Sequence, residues 1–227
     1  MSFPHWRKST VSDHAHPTPV AHQFDDREQQ TEVGRLGMWL FLATEILFFG
    51  GLFTAYLVMR WKWPEAFAVA NSKMDVTLGA INTAVLLTSS LTMALGVRAA
   101  QLGRGKGSFA LIIATMVFGL AFLGIKAVEY ARKFQEGLFP GPGFIFEGAT
   151  GRQVETFFSL YFMMTGLHAL HMVVGIGILT VIAAMIRRGR FSPDYYAPVE
   201  ISGLYWHFVD IIWIFLFPLL YLIHPHL

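Results

Sequence analysis

Polar and apolar residues in this 227-residue chain are segregated into long blocks. Residues 1–35 are polar, with His5, His14, His16, His22 and the charge run Asp25-Asp26-Arg27-Glu28. Five apolar blocks follow, at about residues 36–59, 76–97, 109–130, 157–186 and 201–223. Each reaches the roughly 20 residues a helix needs to cross a hydrocarbon core about 30 Å thick. None alternates with period two, which argues against a barrel. A helical bundle remains, because helices satisfy their own backbone hydrogen bonds in lipid. The pattern therefore predicts an all-α integral membrane protein with two parts: a polar tail over residues 1–35 and a five-helix membrane domain over residues 36–227. The tail has no apolar core followed by a cleavage site, so it does not read as a signal peptide. It reads as solvated, becoming amphipathic near Glu32.

Composition sharpens this picture. Hydrophobic residues make up 54% of the chain and charged residues only 14%, against about 25% charged in a soluble domain. The chain has no Cys, which rules out disulfides, thiolate-held iron–sulfur clusters, a Cys-ligated dinuclear copper and C-x-x-C-H haem attachment. A net charge of +2 is too mild to point to nucleic acid. The basic residues flanking the spans divide unevenly. Arg7, Lys8, Arg27, Arg35, Arg98, Arg104, Lys106, Arg187, Arg188 and Arg190 fall on the N-terminal side, while Arg60, Lys62, Lys73, Arg132, Lys133 and Arg152 fall on the other. The positive-inside rule then predicts the N-terminus inside and the C-terminus outside. Trp61 and Trp63 directly follow the first span, where an aromatic belt belongs.

The candidate chemistry lies in polar residues inside the spans. Glu45 sits nine residues into the first span, roughly 14 Å along a helix rising about 1.5 Å per residue. An acidic residue near the bilayer centre costs on the order of 3 kcal/mol, which favours its neutral form. It reads either as a proton-active or lipid-facing site or as a packing contact to another helix. His168 and His171 on the fourth span are three apart and share a face, so the pair cannot supply both axial ligands of one haem. A haem held by His207 of the fifth span with either His168 or His171 is an alternative of a different class; histidines that tie helices together are the commoner use. His207 and Asp210, again three apart, are spaced to bond each other as an interhelical clamp or part of a proton path. Lys126 and Glu129 are spaced as a local ion pair near the end of the third span, close enough to its end to snorkel. Small residues, among them Gly79, Ala80, Gly166 and Gly175, permit close helix approach. Five spans without an inverted repeat argue against a transporter acting alone.

Three segments together carry a resemblance. Tyr205-Trp206-His207-Phe208-Val209-Asp210-Ile211-Ile212-Trp213, Thr165-Gly166-Leu167-His168-Ala169-Leu170-His171-Met172-Val173-Val174-Gly175 and the Glu45 segment resemble the signatures of subunit III of the haem-copper cytochrome oxidases. Asn82-Thr83 and Glu129-Tyr130 match further family positions in the same order, over about residues 33–223. The chain is similar to the short, five-helix bacterial form, which lacks two N-terminal helices of the mitochondrial one.

The resemblance implies an accessory subunit of a proton-pumping terminal oxidase in the bacterial inner (plasma) membrane. Such a subunit carries no haem or copper, these being expected on partner subunits. It binds the catalytic subunit I, other oxidase subunits and phospholipid, supports proton uptake, and protects the enzyme during turnover. It also implies that Glu45 is the family's acid beside a lipid-filled cleft, and that Glu200 is the acid preceding the last span. On the latter the chain resembles the cytochrome c branch more than the quinol branch. A quinol oxidase subunit and a nitric-oxide-reductase-associated relative are the near alternatives. Arg187, Arg188 and Arg190, just beyond the fourth span, are placed to hold anionic lipid head groups or simply to set topology.

Overall fold

The computed structural model describes residues 27–146, 151–193 and 195–222. The histidines of the N-terminal tail and Glu147 lie outside the described residues. Six α-helices make up most of what is described: α1 (Arg27–Lys62), α2 (Pro64–Asn71), α3 (Val76–Gln101), α4 (Gly105–Gln135), α5 (Gly151–Arg187) and α6 (Ala197–Phe217), the last running into a π turn, Pro218–Leu222. Among the described residues five are long and apolar enough to cross a membrane; the first four apolar blocks each fall within one of them, and the fifth, as far as residue 222, follows α6 through the π turn. The short α2 is an addition to the five helices expected. Helix α1 begins at Arg27, so the helix starts ahead of the first apolar block.

Local chemistry sets the helix ends. Pro64 opens α2, where its missing N–H removes nothing. Asp75 caps α3, its Oδ1 accepting from the Leu78 amide at 3.0 Å. Gly103, Gly137 and Gly189, all near φ +70°, follow the ends of α3, α4 and α5. A side chain at that φ would strain the backbone that turns each helix off.

Helices α3 and α4 form a hairpin, α5 packs on α4, and α6 lies against α3, α5 and α1. Helix α6 is the most enclosed span and α1 the least. The centre of the bundle is Trp206, which is fully buried. Its Nε1 donates to Ser89 Oγ of α3 at 3.0 Å, while its ring lies against Gly119 of α4 and Gly175 of α5. A methyl group at Gly119 would come within 2.8 Å of the indole, so the glycine is what lets α4 approach. Between α1 and α6 the packing opens into an apolar groove of about 450 Å³, lined by residues such as Trp39, Ile46, Phe53 and Phe215.

Candidate functional site

The intramembrane polar residues form three separate ties between helices. The first joins α1 to α5. Glu45 Oε2 lies 3.3 Å from His171 Nε2, and His171 Nδ1 lies 2.8 Å from the Leu167 carbonyl. A carbonyl only accepts, so Nδ1 carries a proton. The contact to Glu45 is then either a carboxylic acid donating to Nε2 or a carboxylate facing an imidazolium. Either form makes the contact a polar tie between α1 and α5. The Tyr205 hydroxyl donates to the His171 carbonyl at 3.0 Å, and Phe49 stands edge-on to the imidazole at 5.5 Å.

The second tie joins α5 and α3 to α6. His168 is 1% exposed, with Nε2 3.1 Å from the Val209 carbonyl. Its ring is enclosed by Phe122 and Trp213, each 5.3 Å away between centroids. His207 Nδ1 meets Ser90 Oγ of α3 at 2.8 Å. Trp213 Nε1 donates to Thr83 Oγ1 of the same helix at 3.1 Å. The expected His207–Asp210 clamp is not made. The imidazole turns across to α3, and both oxygens of Asp210 are buried without a hydrogen-bond partner, with Ser90 the polar side chain beside them. Spacing on one helix brought the two residues to neighbouring positions, but the facing hydroxyl on α3 took the imidazole. The haem alternative fails on the same geometry: His168 has no open face, and His171 has both ring nitrogens engaged.

The third tie surrounds Lys126 and Glu129 of α4. These residues are 3% and 2% exposed, so the expectation that they snorkel is corrected. Lys126 Nζ donates to Glu129 Oε2 (3.0 Å), Tyr161 Oη (2.9 Å) and Tyr221 Oη (3.0 Å). Both tyrosine hydroxyls in turn donate to Glu129 Oε1, at 2.7 and 2.6 Å. The ammonium also lies 4.9–5.7 Å from the ring centroids of Tyr130, Tyr161, Trp213 and Tyr221, within range for cation–π attraction. Every donor of the ammonium has an acceptor and both carboxylate oxygens are filled, so the network is closed. It stays buried because these bonds and rings replace the water both charges lost.

The remaining candidates lie nearer the helix ends. Glu200 at the start of α6 pairs with Arg35 Nη2 of α1 at 2.7 Å, partly in the open. Arg187, the last residue of α5, and Arg188 and Arg190 just after it are exposed. Among the described residues no three His, Cys, Asp or Glu side chains converge as a metal site. Ser90, Tyr161 and Tyr221 are the site residues that reading the sequence missed. A hydroxyl in a span carries no periodic signal, and only the opposing helix shows what it bonds.

Fold and site together define a multi-pass helical membrane protein whose buried polar groups act mainly as ties between helices. The family profile described as cytochrome c oxidase subunit III matches residues 25–224, and the chain belongs to that family. It is 32% identical over 198 residues to a quinol oxidase subunit 3 of Bacillus subtilis, covering 86% of this chain and 91% of the relative. It is 33% identical over 203 residues to a cytochrome c oxidase subunit 3 of Thermostichus vulcanus, covering 88% and 92%. A probable quinol oxidase subunit 3 of Staphylococcus epidermidis is 31% identical over 205 residues, covering 89% and 95%.

Proposed function

We propose that this chain is the accessory subunit III of a proton-pumping terminal oxidase of the cytochrome c type. In this reading it crosses the bacterial inner membrane five times with its N-terminus inside, and it binds the catalytic subunit and phospholipid. It carries no redox step itself; haem and copper belong to partner subunits. Its part is to support proton uptake and to protect the enzyme during turnover. The family match over residues 25–224 is the observation that supports the subunit III part of this reading; the cytochrome c type rests on the resemblance at Glu200. The geometry supports the subunit III part: the imidazoles tie helices together, and Glu45 of the lightly packed α1 stands 3.3 Å from His171 of α5. Arg187, Arg188 and Arg190 are available at the helix end for anionic head groups.

The test is to purify the complex from native membranes with and without this chain. Protons translocated per electron and the decay of activity over successive turnovers are then compared. The depleted enzyme is expected to lose activity faster; equal pumping and equal lifetime would overturn the proposal. A quinol oxidase subunit is the second reading, favoured by the relatives from Bacillus subtilis and Staphylococcus epidermidis. Oxygen consumption by the intact complex with reduced cytochrome c and with a quinol as donors separates the two.

A further inference from the structure

A backbone carbonyl left bare in lipid costs several kcal/mol. Helix α6 runs into a π turn, Pro218–Leu222, a form that widens the helix and recurs at sites with a special role. Two of the turn's carbonyls are met by side chains from the most peripheral part of the fold. The Tyr56 hydroxyl of α1 donates to the Leu219 carbonyl at 2.9 Å. Asn71 Nδ2, at the end of α2, donates to the Leu220 carbonyl at 2.9 Å. Both donors are fully buried. The next residue, Tyr221, faces the other way and joins the Lys126–Glu129 network of α4, together with Tyr161 of α5. Its ring also packs over Gly79 of α3.

We infer that Pro218–Leu222 is a latch fastening α1 and α2 to the α3–α6 bundle, with the Leu219 and Leu220 carbonyls holding one side and Tyr221 the other. Helix α1 needs such a fastening. It is the least enclosed span, an apolar groove opens along its contact with α6, and beyond the mid-span Glu45–His171 contact its other polar tie, Arg35–Glu200 at the opposite end, is partly exposed and so contributes little. The short α2 does pack on α5, Phe67 standing edge-on to Phe157 at 5.4 Å. Apolar contact is non-directional, however, and does not fix the axial position of one helix on another as two backbone-directed hydrogen bonds do. The latch does not depend on which oxidase the chain serves, and it is read on the chain alone.

The chain has no cysteine, so introduced pairs are the only thiols available for spin labels. One pair, Glu65→Cys with Gln135→Cys, spans α2 and α4; a second, Leu102→Cys with Gln135→Cys, lies within the bundle. Distance distributions are compared in lipid nanodiscs for the parent and for Tyr56→Phe/Asn71→Leu. This double variant keeps the shapes and removes both donors. Asn71 Oδ1 is itself buried without a partner, so a purely burial-based account expects Asn71→Leu to tighten the packing. The latch predicts the opposite: the α2–α4 distribution broadens at least twofold while the pair within the bundle stays narrow. Unchanged distributions would overturn it. Equal broadening of both pairs would also overturn it, because the contact would then be general packing. Thr54→Val, which removes a hydroxyl bonded within α1, must leave both distributions as in the parent.

Discussion

Asp210 shows what one residue's surroundings do to its role. His207 bonds to Ser90 instead, so Ser90→Ala is the change that leaves the imidazole without its partner. It should cost about 1–3 kcal/mol, the penalty for an orphaned buried polar group. Asp210→Asn removes no hydrogen bond of the carboxyl and should cost less than Ser90→Ala. Unfolding in mixed detergent, followed by circular dichroism, ranks the two; a larger loss for Asp210→Asn would restore the clamp. At Glu45, the amide of Glu45→Gln can still donate to His171 Nε2, so the chain should fold and enter its complex at parent levels. Glu45→Leu strands the imidazole and should lower recovery of the complex several-fold, as read from purified yield.

Between elements, the Lys126–Glu129 network joins α4, α5 and the end of α6. Removing one charge leaves the other buried and unpaired, so Lys126→Met should cost about 3–5 kcal/mol. Adding Glu129→Gln should recover part of that loss, and a double-mutant cycle on unfolding free energy measures the coupling. Independent, additive losses would mean the two groups do not act as a pair. The α4–α6 contact depends instead on the absence of a side chain. Gly119→Ala sets a methyl group against the rigid Trp206 indole, and overpacking of this kind costs about 1–3 kcal/mol. Gly124→Ala, on the same helix with open space around it, should be neutral or slightly stabilising in the same unfolding assay. The small residues on the second and fourth spans were legible in the sequence as close-approach points. Gly119 was not, because a lone glycine in an apolar span has no mark until the indole opposite it is known.

Across the whole molecule, Trp206 links three neighbouring helices at once, through Ser89, Gly119 and Gly175. Trp206→Ala should therefore lower stability by about 3–5 kcal/mol and lower the unfolding cooperativity of the entire chain. Retention of a single sharp transition at the parent temperature would count against this central role.

The sequence by itself determined the membrane class, the five spans and the ionisable residues inside them. Length and hydropathy are summed properties of contiguous residues, and an ionisable side chain inside an apolar block stands out without any knowledge of the fold. It also carried the family, because Glu45, His168, His171, His207 and Asp210 stand in recognisable strings. Only the tertiary structure decided which partner each of them has. A hydrogen bond depends on what the facing helix presents within about 3 Å, and that information lies on residues far apart in the chain. For this reason His207 bonds to Ser90, Lys126 is caged where it was expected to snorkel, and the Leu219 and Leu220 carbonyls accept from Tyr56 and Asn71.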